Sequence, residues 1–502
     1  MRKKLLAQNT CSSLLYQIIA IICGFILPRL ILEHFGSEMN GLTHSIAQFL
    51  QIITFLELGV GAVVQSALYK PLAIKDKVGV SRILASADRF FKKIAIILIF
   101  YVIFLISIYQ VIAKQRYSFT FTATLIVAMS INSFAQYYFG IVNGLLLLAD
   151  QHGYINYLLQ TSTIVLNTIA CVILINFNAS LQMVKFTTSI IYLIRPIILQ
   201  FYINTHYSID RKIKYKEEPI SQKWNGVAQH IAAIVLDGTD YIVLTIFATL
   251  TDVSIYSVYN LIIYGVKQLF LSITNGIQAL LGELWARGDK EELSKVFGLM
   301  EWLIHSGVTF VFCCTALLIV PFITIYTKGV MDANYYQPLF AGYITMAAAA
   351  HCLRLPYHMM IKAAGHYRET QSNYIVAAFL NIVISIITVK IWGIIGVALG
   401  TLVSMVYQTI WMVNYNSMYI LKWPAFKVIK QIVVDVTTVM LSFILSQWVV
   451  MNKVGYIAWV ISAIKISIIV GLVWLILNIL CYRRNINTII YHMTKEAVKT
   501  IL

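Results

Sequence analysis

Charge is what this sequence has least of. Asp, Glu, Lys and Arg make up 12% of its 502 residues, against about 25% in an ordinary soluble domain. Acids are the scarcer half, with 21 Asp and Glu facing 38 Lys and Arg. No polar stretch is long enough to fold on its own, which excludes a separate soluble domain on either side of a membrane. The seven cysteines (Cys11, Cys23, Cys171, Cys313, Cys314, Cys352, Cys481) fall in or beside apolar runs. Their spacing fits neither metal ligation nor a secreted disulfide framework. The ten histidines are scattered, and His351 and His358 stand too far apart for one helical turn. A phosphate-binding glycine loop and a Ser-His-Asp arrangement are both missing. No metal or cofactor is expected, and the chain does not read as an enzyme.

What fills the space is hydrocarbon. Apolar residues reach 59%, in runs of about 20 that recur from end to end and match the thickness of a bilayer core. Spans are expected near 10–32, 41–66, 93–113, 120–148, 154–176, 183–205, 225–248, 254–281, 301–325, 337–361, 371–390, 393–415, 430–450 and 456–481. The fold class is therefore all-α and polytopic, with about fourteen transmembrane helices. The first run follows Met1-Arg2-Lys3-Lys4 and is too long for a signal sequence, so it reads as an uncleaved helix.

A net charge of +17 raises the question of nucleic acid. These charges, however, sit in short clusters between spans and follow the positive-inside rule instead. With the N-terminus inside, alternate loops hold 27 of the 38 Lys and Arg, and the opposite loops hold six (Lys114, Arg116, Lys185, Lys328, Lys390, Lys453). Both termini are expected in the cytoplasm. The outside loops are short, and their only acidic pair, Glu33 and Glu38, lies in a tight turn. The 30 tyrosines and nine tryptophans fit interfacial belts before sugar-stacking walls.

Two halves of the chain resemble each other. "LYKPLAIKDKVGVSRIL" aligns with "LGELWARGDKEELSKVF", setting Asp76 and Lys77 on Asp289 and Lys290 at an offset of 213. "LADQHGYINYLLQTSTIVLN" aligns with "KAAGHYRETQSNYIVAAFLN", setting His152 on His366 and Asn167 on Asn381 at 214. The expected organisation is a six-helix lobe over 1–208, a cytoplasmic linker over 209–224, and a second six-helix lobe over 225–415. Residues 416–502 add a cytoplasmic loop, two further helices and a tail. Parallel repeats of this kind in transporters hold substrate between the halves and expose it alternately to each side.

An ionised side chain at the bilayer centre costs roughly 2.5 to 3.5 kcal/mol on insertion scales, so each one calls for a partner or a watery cavity. The cations inside spans are Arg29, Arg195, Lys267, Arg354 and Lys465; the acids are Glu57, Asp237, Asp240 and Asp435. Arg29 follows Pro28, Arg195 precedes Pro196, and Arg354 lies two before Pro356. Proline removes a helix hydrogen bond and bends the span there. Arg29, Arg195, Lys267 and Arg354 are the candidates for a cationic substrate site. Glu57, Asp237 and Asp240 are candidates for ion coupling or charge pairing. The repeat offset puts Arg29 at the depth of Asp240. The alternative reading is structural ion pairing or snorkelling, which suits Lys465 and Asp435 best.

The runs "GFILPRLILEHFGSEMNGL", "FLELGVGAVVQSALYKPLAIKDK", "LADQHGYINYLLQ" and "LDGTDYIVLTIFATLTDVSIYSVYNLIIYGVKQLF" resemble the polysaccharide-exporting flippases of the multidrug/oligosaccharidyl-lipid/polysaccharide superfamily, which translocate O-antigen and capsule repeat units. The resemblance implies a two-lobed bundle in a bacterial cytoplasmic membrane that moves an undecaprenyl-diphosphate-linked oligosaccharide outward through a cationic cavity. It also implies partnership with a polysaccharide polymerase and glycosyltransferases, and no nucleic acid. Arg29, Lys267 and Arg354 are the counterparts it suggests for the cationic lining. Moving two negative charges out of a negative interior is favourable by about 4 to 5 kcal/mol at 100 mV. A lipid II flippase, a multidrug exporter of the same superfamily, and a membrane glycosyltransferase or polymerase acting on the same lipid remain as alternatives.

Overall fold

The computed structural model describes residues 2–57, 59–113, 116–213, 215, 218–220, 227–422, 425–449 and 454–501. The side chains of 2–4, 6, 227–234, 237, 273–277, 279, 425–426, 484 and 486–501 lie outside the described set. Every regular element among the described residues is a helix, and ten of these helices are long and apolar enough to cross a membrane. Large apolar side chains such as Phe100, Phe104, Phe201, Phe379 and Leu480 stand outward on them, as lipid-facing surfaces require. The protein is an all-α, multi-pass membrane protein.

Two compact units divide it, residues 1–257 with 329–333 and residues 258–328 with 334–502. Unit 1 contains α1 (Arg2–Gln51), α2 (Val60–Ala73), α3 (Lys77–Ile112), α4 (Phe119–Ala135), α5 (Ile141–Ala149), α6 (Gly153–Asn176), α7 (Leu181–His206), α8 (Val227–Phe247) and the start of α9 (Leu250–Arg287). Its packing runs through α1 against α6, α4 against α7, and α6 against α7. Unit 2 holds the rest of α9, then α10 (Lys290–Tyr326), α11 (Pro338–Leu353), α12 (Leu355–Ala363), α13 (Gln371–Trp392), α14 (Ile394–Tyr415), α15 (Ala425–Ser446) and α16 (Tyr456–Ile501).

In unit 2, α13 and α14 form the tightest pair. Gly396 and Gly400, one turn apart on α14, permit it: a Cβ on Gly400 would stand 2.2 Å from Ser385 Oγ, and one on Gly396 2.4 Å from the Thr388 carbonyl carbon. Small residues four apart let membrane helices approach backbone to backbone where lipid offers no hydrophobic drive.

The residues that align the two halves of the sequence do the same work in each. Asp76 caps α3 by accepting from Gly79 N at 2.9 Å, and Asp289 caps α10 by accepting from Glu292 N at 3.0 Å. A left-handed residue precedes each cap, Lys75 at φ 58° and Gly288 at φ 73°. At the second anchor, His152 N donates to Leu147 O at 2.8 Å behind Gln151 at φ 61°, while His366 N donates to Ile361 O at 3.1 Å behind Gly365 at φ 75°. These six-to-one bonds close a helix and satisfy its last carbonyls.

Three expected spans take a different course. Between 10–32 and 41–66 no loop intervenes: helix continues to either side of Gly36, whose φ of 83° breaks it. Asp332, far along the chain but within unit 1, accepts from Ser37 N and Ser37 Oγ, each at 2.6 Å, and so caps the helix that restarts there. That helix tightens to 3-10 geometry over Ile52–Glu57, and α2 restarts after Gly59 at φ 73°. The span expected at 337–361 is broken at Arg354 into α11 and α12. Pro356 sits in the first turn of α12, where its missing N–H costs nothing.

Candidate functional site

In unit 1 four of the five candidate intramembrane charges sit with an identified neighbour. Arg29 lies 3.7 Å from Glu33, one turn further along α1. Arg195 Nε donates to Asn156 Oδ1 at 3.2 Å, just before the buried Pro196. Glu57 accepts from the Tyr137 hydroxyl, and Tyr137 lines a recess with Gln51, Thr54, Met129 and Ser133. Asp240 is 2% exposed and accepts from Tyr256 Oη at 2.7 Å. Asp237 lies on α8, its side chain outside the described residues.

The linker after α7 is also part of unit 1. Arg211 bonds Asp88 at 2.6 Å and reaches Asn143, which in turn donates to Gln200. Arg89 covers the ring of Tyr215 at 4.8 Å, Ser86 donates to Glu218, and Ile220 is buried. Tyr207 donates to Asp150 at 2.6 Å. Burial and the adjacent Asp150 carboxylate hold the Tyr207 hydroxyl well above the usual phenol range. The segment expected as a cytoplasmic linker thus lies strapped along the start of α3 by charge-assisted bonds.

Unit 2 gathers its cations. Arg354 stands at the break between α11 and α12, 6% exposed, with its guanidinium 2.9 Å from His351 Nδ1. Lys267 on α9 acts electrostatically on His351 and Cys352, as Arg354 does. Lys362 and Arg354 both act on His358, whose ring meets Tyr374 edge-on at 6.0 Å. Arg354, Lys362, His351 and His358 thus lie on α11, α12 and the break between them, with Lys267 of α9 within electrostatic reach of His351. Two buried amides lie on α13 and α14. Asn373 adjoins Tyr374 on α13, and Gln408 adjoins Thr409, whose hydroxyl bonds the Ala350 carbonyl at 2.9 Å. Asn373 and Gln408 are 1% and 0% exposed, and neither side chain has a hydrogen-bond partner. Buried amides in that condition are rare in folded proteins.

Of the four cations expected at a substrate site, Lys267 and Arg354 come together in unit 2, while Arg29 and Arg195 hold separate partners in unit 1. His351 and His358 were weighed from sequence only as metal ligands and set aside, and Lys362, one residue past the span expected at 337–361, was not singled out. The proline at 356 was the local sign that the chain turns there. Lys465 is exposed on α16 and Asp435 is buried on α15. Among the described residues no group of three or more His, Cys, Asp and Glu side chains is arranged to hold a metal ion.

No protein-family model and no curated protein matches the sequence. Solved structures do match in fold. The lipid II flippase MurJ in its inward closed conformation aligns over 94% of this chain and 100% of its own, with TM-score 0.64 and 16% identity. A multidrug resistance MATE family transporter of the MOP superfamily, outward-facing, aligns over 83% and 95% with TM-score 0.57 and 12% identity. The Vibrio cholerae MATE transporter VcmN in the bent form aligns over 85% and 99% with TM-score 0.54 and 12% identity. The chain has a MurJ- and MATE-like fold, and these structural neighbours are transporters and flippases.

Proposed function

We propose that this protein flips an undecaprenyl-diphosphate-linked oligosaccharide from the inner to the outer leaflet of a bacterial cytoplasmic membrane by alternating access. The observation that carries this reading is Arg354 buried at a helix break in unit 2, with Lys362 further along α12, Lys267 of α9 in electrostatic reach of His351, and the buried amides of Asn373 and Gln408 in the same unit. A diphosphate cannot enter hydrocarbon without compensating charge. Arginine offers it a fork of donors and lysine a point charge. The amides suit sugar hydroxyls, which need both donors and acceptors. Discontinuous helices are where membrane transporters place such contacts.

Arg29 and Arg195 of unit 1 are the further cations we assign to the substrate's path, with Glu57, Asp237 and Asp240 as pairing or coupling groups. The fourteen-span topology with both termini in the cytoplasm belongs to the same proposal, as do two six-helix lobes with an added helix pair. A multidrug exporter of organic cations fits this concentration of positive charge poorly. Lipid II flipping is the second reading, favoured by the full-length fold match to MurJ, and it uses the same diphosphate chemistry. Cells lacking the protein should accumulate lipid-linked oligosaccharide on the inner leaflet. Accumulation on the outer leaflet would mean that the protein acts downstream, as a polymerase or ligase partner does. The composition of the accumulated lipid separates repeat-unit export from lipid II flipping.

A further inference from the structure

A second buried charged cluster in unit 2 has no part in the account above. Glu301 and His305 lie one turn apart on α10, 7% and 2% exposed, and Asp435 on α15 is 8% exposed. His305 Nδ1 is 3.0 Å from Asp435 Oδ2, and Gln431 donates to Asp435 Oδ1 at 3.0 Å. The Tyr357 hydroxyl on α12 donates to Glu301 Oε1, and its ring meets that of His305 edge-on. The other groups that reach the cluster are Lys427 from α15, Tyr482 from α16, and the backbone carbonyl of Leu353 at the end of α11. The four side chains Glu301, His305, Tyr357 and Asp435 come from three helices, and α16 packs against both α10 and α15.

Two carboxylates and one imidazole share this volume. With both acids ionised and the imidazole neutral, two negative charges would stand together out of water, and each buried charge left uncompensated costs several kcal/mol. One proton on the pair formed by His305 and Asp435 leaves a single negative charge on the three groups, which Tyr357 solvates at Glu301 and Lys427 of α15 helps to offset. A second proton makes the three groups neutral. Protons bound by groups this close belong to the set and not to any one member. They are not arranged to ligate a metal ion together, so the exchangeable species is the proton.

The cluster also touches the helix break from behind. Leu353 immediately precedes Arg354 and Tyr357 follows it by three, so the two α11–α12 groups that meet the cluster flank the arginine in sequence. We propose that Glu301, His305 and Asp435, with Tyr357, form a proton-binding site whose occupancy sets the geometry of the α11–α12 break that carries Arg354. The site is independent of which substrate is carried.

The test uses the full-length protein in nanodiscs without substrate. Infrared difference spectra are recorded as pH is stepped between about 8 and 5, a range in which exposed carboxyls stay ionised. The wild type should gain a carboxylic-acid band together with imidazole changes in this range. Glu301→Gln should remove all or part of the band. His305→Gln and Asp435→Asn, close in shape to what they replace, should move its midpoint by about one pH unit or more. Hydrogen exchange of the amides of residues 350–358, corrected for intrinsic rate, should change about tenfold across the wild-type midpoint, and Tyr357→Phe should reduce that response. No titrating band in the wild type, or a band that all three substitutions leave unchanged, overturns the site. A titrating band with exchange over 350–358 insensitive to pH overturns its link to the break.

Discussion

Unit 1 and unit 2 treat charge in opposite ways. In unit 1 a cation is set against a carboxylate or amide nearby: Arg29 against Glu33, Arg116 against Glu38, Arg211 against Asp88, Arg195 against Asn156. In unit 2 exposed pairs of the same kind occur, Arg287 with Glu283 and Lys295 with Glu291, but the more buried charges lie in groups of one sign. Lys267, Arg354 and Lys362 surround imidazoles, while Glu301 and Asp435 collect elsewhere on α10 and α15. Sorting is the costlier arrangement in a low dielectric, because like charges are brought together after each has lost water. The difference gives the proposed function its test: pairs such as Arg211 with Asp88 tie segments of unit 1 together, whereas the grouped cations of unit 2 are the ones proposed to meet substrate first.

Substitutions should separate these two uses. The largest effect is expected at Arg354→Ala, which should lower lipid-linked oligosaccharide translocation in proteoliposomes about 100-fold at unchanged protein level, with Arg354→Lys recovering part of it. An Arg354→Ala protein that transports normally would erase the contrast between the units. Next in size is Arg211→Ala, which strands Asp88 and should cost about 2 kcal/mol of stability in thermal unfolding. Transport per folded molecule should change less than about twofold, and the double substitution with Asp88→Ala should cost less than the two single losses added together.

A smaller difference sharpens the reading of unit 1 itself. Arg29→Ala should reduce export about tenfold and Asp240→Asn less than about threefold, if Arg29 meets substrate and Asp240 only tempers it. Equal null phenotypes at normal protein levels would place both in one structural pair. The smallest effect is expected at Asp332→Ala, which uncaps the helix restarting at Ser37 and should cost about 1 kcal/mol. Thermal unfolding monitored alongside transport would show whether stability alone moves.

How much of this could be read from the sequence follows from the range of the forces involved. Asp76 and Asp289 were visible as repeat anchors because what they do is local: the two aligned segments are the two capped starts of α3 and α10. The break at Arg354 had a local sign in Pro356. The break after Glu57 had only Gly59, one glycine among 25. The meeting of His305 with Asp435 spans 130 residues of sequence, and that of Asp88 with Arg211 spans 123. No periodicity or spacing encodes such pairs, so Asp435 read as a structural acid and Glu301 was not singled out at all. Lys362 fell just outside the expected span of 337–361 for a related reason: hydropathy marks where apolar residues stop, whereas α12 continues through Lys362 to Ala363.

The most direct test of the central claim is a transport assay with purified protein in liposomes under a membrane potential, negative on the side from which substrate departs. A fluorescent undecaprenyl-diphosphate sugar and a lipophilic organic cation are offered in parallel, and arrival of each on the opposite side is read by an impermeant quencher. The account predicts protein-dependent transfer of the diphosphate lipid that grows with the potential and is lost in Arg354→Ala, with the cation left behind. Transfer of the cation alone, or of the diphosphate lipid equally well by the Arg354→Ala protein, would contradict it.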